Sequence, residues 1–189
     1  DLIFSEVEQR SGEAEFAIKG SFLEIYNEEL KDLLDQSQQQ PGKLSIREEK
    51  GAIQVFGLQE LCVTNAADMN ACLDRGTSNR TTAATCMNAN SSRSHAIFSI
   101  TIEQRVRQTE SPQEGEEAPE DFMAAKFHFV DLAGSERSKK TGAVGSTFKE
   151  GVNINKSLLA LGNVISALSD EGKKNNFVPY RDSKLTRLL

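Results

Sequence analysis

Two apolar runs with different rhythms frame the chain. Residues 16–26, FAIKGSFLEIY, place Phe16, Ile18 and Phe22 on one parity and Leu23 and Ile25 on the other. Successive side chains of a strand point to opposite faces, so this run predicts a strand buried on both. Across 148–168 the apolar positions Ile154, Leu158, Leu161, Ile165 and Leu168 recur every three or four residues, the stripe of a long helix with one core-facing side. Shorter strand signals lie at 44–46, 53–56 and 61–63, interrupted by Gly51 and Gly57. Residues 96–103 alternate as a strand, and 127–132 form another apolar strand, read like 16–26 as interior to a sheet.

Helices are predicted over 2–9, over 27–35 with Asn27 as cap, and from Thr64 or Asn65 through Leu73, stopping near Gly76. The polar stretch 77–95 reads as a long loop, and such loops in compact domains are usually functional. The last segment, VPYRDSKLTRLL, is extended up to Pro179 and helical from about Ser183. Strands mixed with helices indicate the α/β class, expected as a mostly parallel mixed sheet with helices on both faces. No internal repeat is present.

Composition adds boundaries. The 189 residues suit one domain, and 38% hydrophobic with 26% charged is a globular balance. No apolar run approaches the roughly 20 residues that span a bilayer, and the first residues do not form a secretory signal, so no membrane role is expected. The net charge of -6 is local: residues 110–121, ESPQEGEEAPED, hold acids and no bases, and outside them the two signs balance. That block, with Pro112, Gly115 and Pro119, reads as a solvated loop. Cys62, Cys72 and Cys86 form no C-x-x-C pair and do not join the two histidines at a zinc spacing. They read as reduced, buried or half-buried spectator thiols in a cytosolic setting.

The candidate chemistry lies in two loops. Phe129 to Arg137 reads FVDLAGSER, with Asp131 ending an apolar strand and Gly134 three residues later. A carboxylate at a strand tip suits Mg²⁺ through water, and a glycine lets a backbone N–H approach a phosphate closely. The other loop, 88–95, reads NANSSRSH, two adjacent hydroxyls and an arginine, a set that suits a metal and an oxyanion. Alone, the first is compatible with an ordinary turn and the second with a serine-rich loop.

In order along the chain, FLEIYNEELKDLL, NANSSRSH, VDLAGSER, FKEGVNINKSLLALGNVISAL and VPYRDSKLTRLL resemble the kinesin motor domain at every step, with wording closest to the chromokinesin branch. The resemblance spans essentially the whole chain and implies the kinesin-type P-loop NTPase fold. It implies ATP and Mg²⁺ as cofactors and microtubules as partner, with no nucleic-acid contact from this segment and homodimerisation through regions outside it. The expected location is cytoplasm and cytoskeleton, with spindle or nucleus as further possibilities.

Carried over residue by residue, the resemblance makes 88–95 switch I and 131–136 switch II. Asn88 would meet the nucleotide. Ser92 would ligate Mg²⁺ and meet the γ-phosphate, and Ser91 would orient the attacking water. Asp131 would hold Mg²⁺ through water and the Gly134 N–H would sense the γ-phosphate. Glu136 would pair with Arg93 and accept the proton through waters. The helix over about 148–168 corresponds to the relay helix that lies on tubulin. Arg137, Lys139, Lys140, Arg181, Lys184 and Arg187 fall where kinesins meet tubulin, with Arg47 and Lys50 in a second contact region. From Lys173 to Leu189 five bases face one acid. The acidic stretch 108–122 occupies the place of a variable loop, and 172–189 is the tubulin-binding loop and helix start.

No G-x-x-x-x-G-K-[ST] occurs; GAVGST at 142–147 has no lysine before its Ser-Thr. The resemblance places the phosphate-binding loop ahead of residue 2 and the neck after residue 189. The chain is therefore expected to be a central and C-terminal portion of the domain, incomplete at both ends and inactive in isolation. An ATP-driven motor is the first functional reading, and a non-motile microtubule-binding relative the alternative. A GTPase is disfavoured because Asn155-Lys156-Ser157-Leu158 lacks the Asp of N-K-x-D, and a serine hydrolase because no G-x-S-x-G is present.

Overall fold

The computed structural model describes residues 2–35, 44–49, 51–87, 93–106, 122–134, 146–170 and 177–189, with the side chains of 81–87 and 146–152 also outside the description. Helix α1 (Leu2–Gln9) leads into β1 (Ala14–Tyr26), β2 (Glu29–Asp32), β3 (Ser45–Glu49), β4 (Ala52–Phe56) and β5 (Leu61–Cys62). Then come α2 (Ala66–Met87), β6 (Ser94–Val106), β7 (Phe122–Asp131), α3 (Ser146–Ser169), a 3₁₀ turn (Tyr180–Asp182) and α4 (Lys184–Leu188). The main sheet runs β2-β1-β6-β7, with β5 also paired to β1, and β3 and β4 form a separate hairpin.

Strand β1 is buried on both faces, as its pattern predicts. Ile18 and Phe22 join one core with Met69 and Cys72 of α2 and with Ile3, Phe4 and Val7 of α1. Leu23 and Ile25 join the other with Ile97, Leu185 of α4 and Leu161 of α3. Helices thus cover both faces. The expectation of mostly parallel pairing is corrected: every pairing among the described residues is antiparallel. Burial on both faces comes from helices packed above and below, and that is independent of strand direction.

Further expectations change. Asn27 does not cap a helix over 27–35. Asn27 and Glu28 have φ of 52° and 60° and form a two-residue turn between the paired Tyr26 and Glu29. Asparagine suits that turn because it tolerates the left-handed region, as type I′ hairpins require. Asp32 then anchors the strand's end, accepting from the N–H groups of Leu34 at 2.8 Å and Gln59 at 2.7 Å.

Helix α2 starts where expected, with Asn65 Oδ1 accepting the Asp68 N–H at 2.9 Å, but it passes Gly76 and continues to Met87. The polar stretch after Gly76 is therefore helical for its first half. Its polar side chains are used on the sheet: Asn79 donates to the Leu33 carbonyl at 2.7 Å, and Arg75 to that of Leu34.

Strand β7 is longer than predicted, and it is not interior among the described residues. It pairs with β6 along one edge, and Phe127 and Phe129 are 53% and 58% exposed. The stripe of α3 is rotated as well. Ile154, Ser157, Ala160 and Val164 face inward, while Ile165 and Leu168 are exposed. Ser157 is tolerated in that inward face because its hydroxyl is fully engaged, as described below. Of the thiols, Cys72 is buried, with burial raising its pKa, and Cys62 is exposed, against the expectation for it; the Cys86 side chain lies outside the description.

Candidate functional site

The β6–β7 register pairs Ala96 with Asp131, so the start of β6 and the end of β7 meet at one end of the sheet. The two loops singled out in the sequence open from that end. Of the first, Arg93, Ser94 and His95 are described; Asn88, Ser91 and Ser92 lie outside the described residues. Of the second, Asp131, Leu132, Ala133 and Gly134 are described, while Glu136, Arg137, Lys139 and Lys140 lie outside.

A residue that sequence reasoning missed organises this end. Arg80, on α2, donates to Asp131 Oδ2 at 2.7 Å and to the Ser94 carbonyl at 2.9 Å. Its Nε lies 3.8 Å from Glu24 Oε1 on β1. Ser94 Oγ donates to the same Glu24 oxygen at 2.6 Å, and both residues are buried. A buried carboxylate is tolerable when paired and hydrogen-bonded, and Glu24 is both. The signal for Arg80 was a basic residue in a polar stretch; only the helical continuation of α2 turns it onto the sheet.

Asp131 is differently placed. Its side chain is 70% exposed at the strand's end, with Arg80 on one oxygen. That geometry fits the demand on a carboxylate that holds a metal through water: anchored on one side, open to solvent on the other.

His95 is 3% exposed and meets two other elements. The Ala133 N–H donates to its Nδ1 at 3.0 Å. Its Nε2 lies 2.8 Å from Ser157 Oγ on α3, and that hydroxyl donates to the Ile154 carbonyl at 2.8 Å. Burial, as the largest influence, holds the imidazole pKa below its ordinary value. Arg80 pushes the same way, while Glu28 and Asp131 oppose it. Arg93 lines a small cleft beside His95, together with Asn27, Glu28 and Asn153. Its expected pairing with Glu136 falls outside the described residues.

The predicted basic contacts at the C-terminal end lie on a second surface. Arg181, in the 3₁₀ turn, is an exposed side chain 3.2 Å from Glu48 of β3. Lys184 and Arg187 are half-buried on α4. Ser183 caps α4: its Oγ accepts the Thr186 N–H at 3.1 Å, and Thr186 Oγ1 accepts the Ser183 N–H at 3.2 Å. Glu28, at the hairpin tip, accepts the Lys184 N–H at 3.0 Å. Arg47 stacks over Phe56 at 4.1 Å, and Lys50 lies outside the described residues. Arg181 and Arg47 therefore share the neighbourhood of the β3–β4 hairpin, and Glu28 ties α4 to the end of the sheet where Asp131 lies.

The kinesin motor domain family model matches residues 1–189. The chain is similar to chromosome-associated kinesin KIF4 of Xenopus laevis, 55% identical over 188 residues, which is 99% of this chain and 14% of that protein. It is similar also to kinesin-like protein KIN-4A of Arabidopsis thaliana, 49% identical over 214 residues, covering all of this chain and 21% of that one. The chain thus spans a small fraction of these relatives' length. Among solved structures, a fast kinesin superposes with TM-score 0.81 at 42% identity, covering 100% of this chain and 49% of the other. A KIF14 dimer with AMP-PNP in complex with a microtubule gives TM-score 0.79 at 38% identity, covering 99% of this chain and 52% of the other. The chain belongs to the kinesin motor domain family.

Proposed function

We propose that the whole protein is a microtubule-based motor that couples hydrolysis of MgATP to movement. The observation that carries this is the meeting of the two loops: Arg80 bridges Ser94, at the end of the first, to Asp131, at the start of the second. Two loops that must respond together to one phosphate need a common anchor, and a bidentate-capable guanidinium supplies one.

In this reading Asn88 and Ser92 contact the nucleotide, and Ser92 and Asp131, the latter through water, hold Mg²⁺. The metal, when bound, neutralises charge on the transferred phosphoryl group. Ser91 orients the attacking water. Gly134 presents its N–H to the γ-phosphate, and with no Cβ it allows close approach. Arg93 and Glu136 pair as the loops close, and Glu136 takes the proton through waters. Arg137, Lys140, Arg181, Lys184 and Arg187 supply positive charge toward tubulin. Dimerisation and the chromosomal association in the names of its relatives depend on regions outside this chain.

Steady-state ATP turnover by the full-length protein, with and without microtubules, tests the proposal. Stimulated turnover that Asp131→Ala abolishes is the expected result. Microtubule co-sedimentation without turnover would instead favour a non-motile binding protein.

A further inference from the structure

The buried polar groups around His95 form a chain whose direction is fixed by chemistry. A backbone N–H can only donate, so the Ala133 N–H, 3.0 Å from Nδ1, makes that nitrogen an acceptor. The neutral ring then carries its proton on Nε2 and donates it to Ser157 Oγ at 2.8 Å. Ser157 spends its own proton on the Ile154 carbonyl at 2.8 Å. His95, Ala133 and Ser157 are 3%, 5% and 2% exposed, so all three are shielded from bulk solvent. Each bond therefore depends on the next, and a displacement of α3 that draws Ser157 away leaves the imidazole N–H unpaired.

We propose that His95 is a positioning residue that locks the backbone of the segment after β7 to helix α3, so that Ala133 and Gly134 shift only together with α3. The proposal rests on the reading of Gly134 as a phosphate sensor and of α3 as the helix facing tubulin, and it supplies a side-chain joint between them. The joint comes from a third element, the start of β6, rather than from the chain connecting β7 to α3. A satisfied core histidine would require partners, but not partners on the two elements whose motions the function couples. The same ring stands beside the cleft of Arg93, Asn27, Glu28 and Asn153, where Asn153 of α3 also donates to Asn27 Oδ1 at 2.5 Å. Helix α3 is thereby held to the sheet at two adjacent polar points.

The test uses the full-length protein and two ways of cutting one bond. His95→Asn retains an acceptor near the Nδ1 position but does not reach Ser157; Ser157→Ala removes the same bond from the other side. Ser157→Thr keeps the hydroxyl. The expected result is that each of the first two lowers the ratio of microtubule-stimulated to basal turnover by roughly tenfold, the scale of a typical coupling. The double variant should fall no further than either single one, because both remove one interaction. Ser157→Thr should stay near the wild-type ratio. Additive losses in the double variant, or a wild-type ratio in folded Ser157→Ala, would overturn the proposal. A second readout is independent of turnover: hydrogen exchange across 131–134 should quicken in Ser157→Ala. Unchanged exchange there sinks the joint. Absence of stimulation in the wild-type protein would sink the motor reading instead, with exchange still deciding the joint.

Discussion

A Cβ added to Gly76 would lie 2.1 Å from Cδ1 of Phe22. Helix α2 crosses β1 so closely at this point that only glycine fits, and the Phe22 ring in turn packs edge-on against Phe98, with centroids 5.4 Å apart at 81°. Mid-helix, Gly76→Ala would gain about 1 kcal/mol of helix propensity. Overpacking against a ring wedged between helix and sheet costs about 1–3 kcal/mol, and at this separation the steric cost wins. Urea unfolding should therefore show Gly76→Ala less stable than wild type. Gly76→Ala combined with Phe22→Leu should recover part of the loss. An outright gain in the single variant would show that α2 does not press on β1.

The same glycine shows why part of the fold was legible and part was not. Gly76 reads in sequence as a helix stop because glycine usually ends helices, whereas here it marks a close crossing in mid-helix. The polar run after it reads as loop because periodicity detects only apolar faces. Arg75, Asn79 and Arg80 face the sheet with polar tips, and their partners are carbonyls and carboxylates distant in sequence. By contrast, Ile18, Phe22, Leu23 and Ile25 declare a doubly buried strand directly, while Asp131 and Gly134 stand out only through the D-x-x-G spacing and the family resemblance, not through any periodicity. Asn27 was legible as a special backbone position but not as to which kind, since caps and type I′ turns favour the same residue.

Arg80 and Asp131 form one ion pair, but their substitutions should have opposite profiles. Arg80→Ala strands Glu24, whose side chain is only 10% exposed. Leaving a buried charge short of its partner costs about 3 kcal/mol. Ser94 still donates to that carboxylate, which keeps the loss toward the low end of the usual range. Asp131→Asn acts at a side chain 70% exposed, where the pair contributes less than about 1 kcal/mol. Chemical denaturation should separate the two clearly, with turnover failing in Asp131→Asn although the protein remains folded. Equal destabilisation by both would contradict the asymmetry of burial.

Acid should weaken the fold through its histidines. Burial lowers the His95 pKa from the ordinary value of 6.5, and His128 is shifted the same way by burial and by Lys126. The folded state then binds fewer protons than the unfolded chain as pH falls below 6.5, so stability drops through the window from there down to the lowered folded values. Above 6.5 both states are neutral at these sites and the effect vanishes. Comparing wild type with His95→Asn at pH 7.5 and 5.5 isolates one contribution. The wild type should lose more stability between the two than the variant, and identical losses would show that His95 titrates normally.

The basic residues near the C-terminal end should be dispensable for folding and needed for binding. Arg181 is an exposed side chain whose pair with Glu48 is itself half exposed, so that pair contributes less than about 1 kcal/mol. Helix α4 is instead held by Leu185 and Thr186, 0% and 1% exposed, by the Ser183 cap and by Glu28 on the Lys184 N–H. That last bond uses the backbone, so Lys184→Ala leaves it intact. Lys184 and Arg187, three residues apart on α4, share a helix face. Replacing Arg181, Lys184 and Arg187 together by Ala in the full-length protein should therefore leave thermal unfolding nearly unchanged. Microtubule affinity should fall by roughly tenfold at low ionic strength, with the difference shrinking as salt screens the remaining charges. Co-sedimentation over a salt series reads both effects at once. Binding equal to wild type at low salt would make these three a solvated face with no part in recognition, and the tubulin contact would then have to come from Arg137 and Lys140.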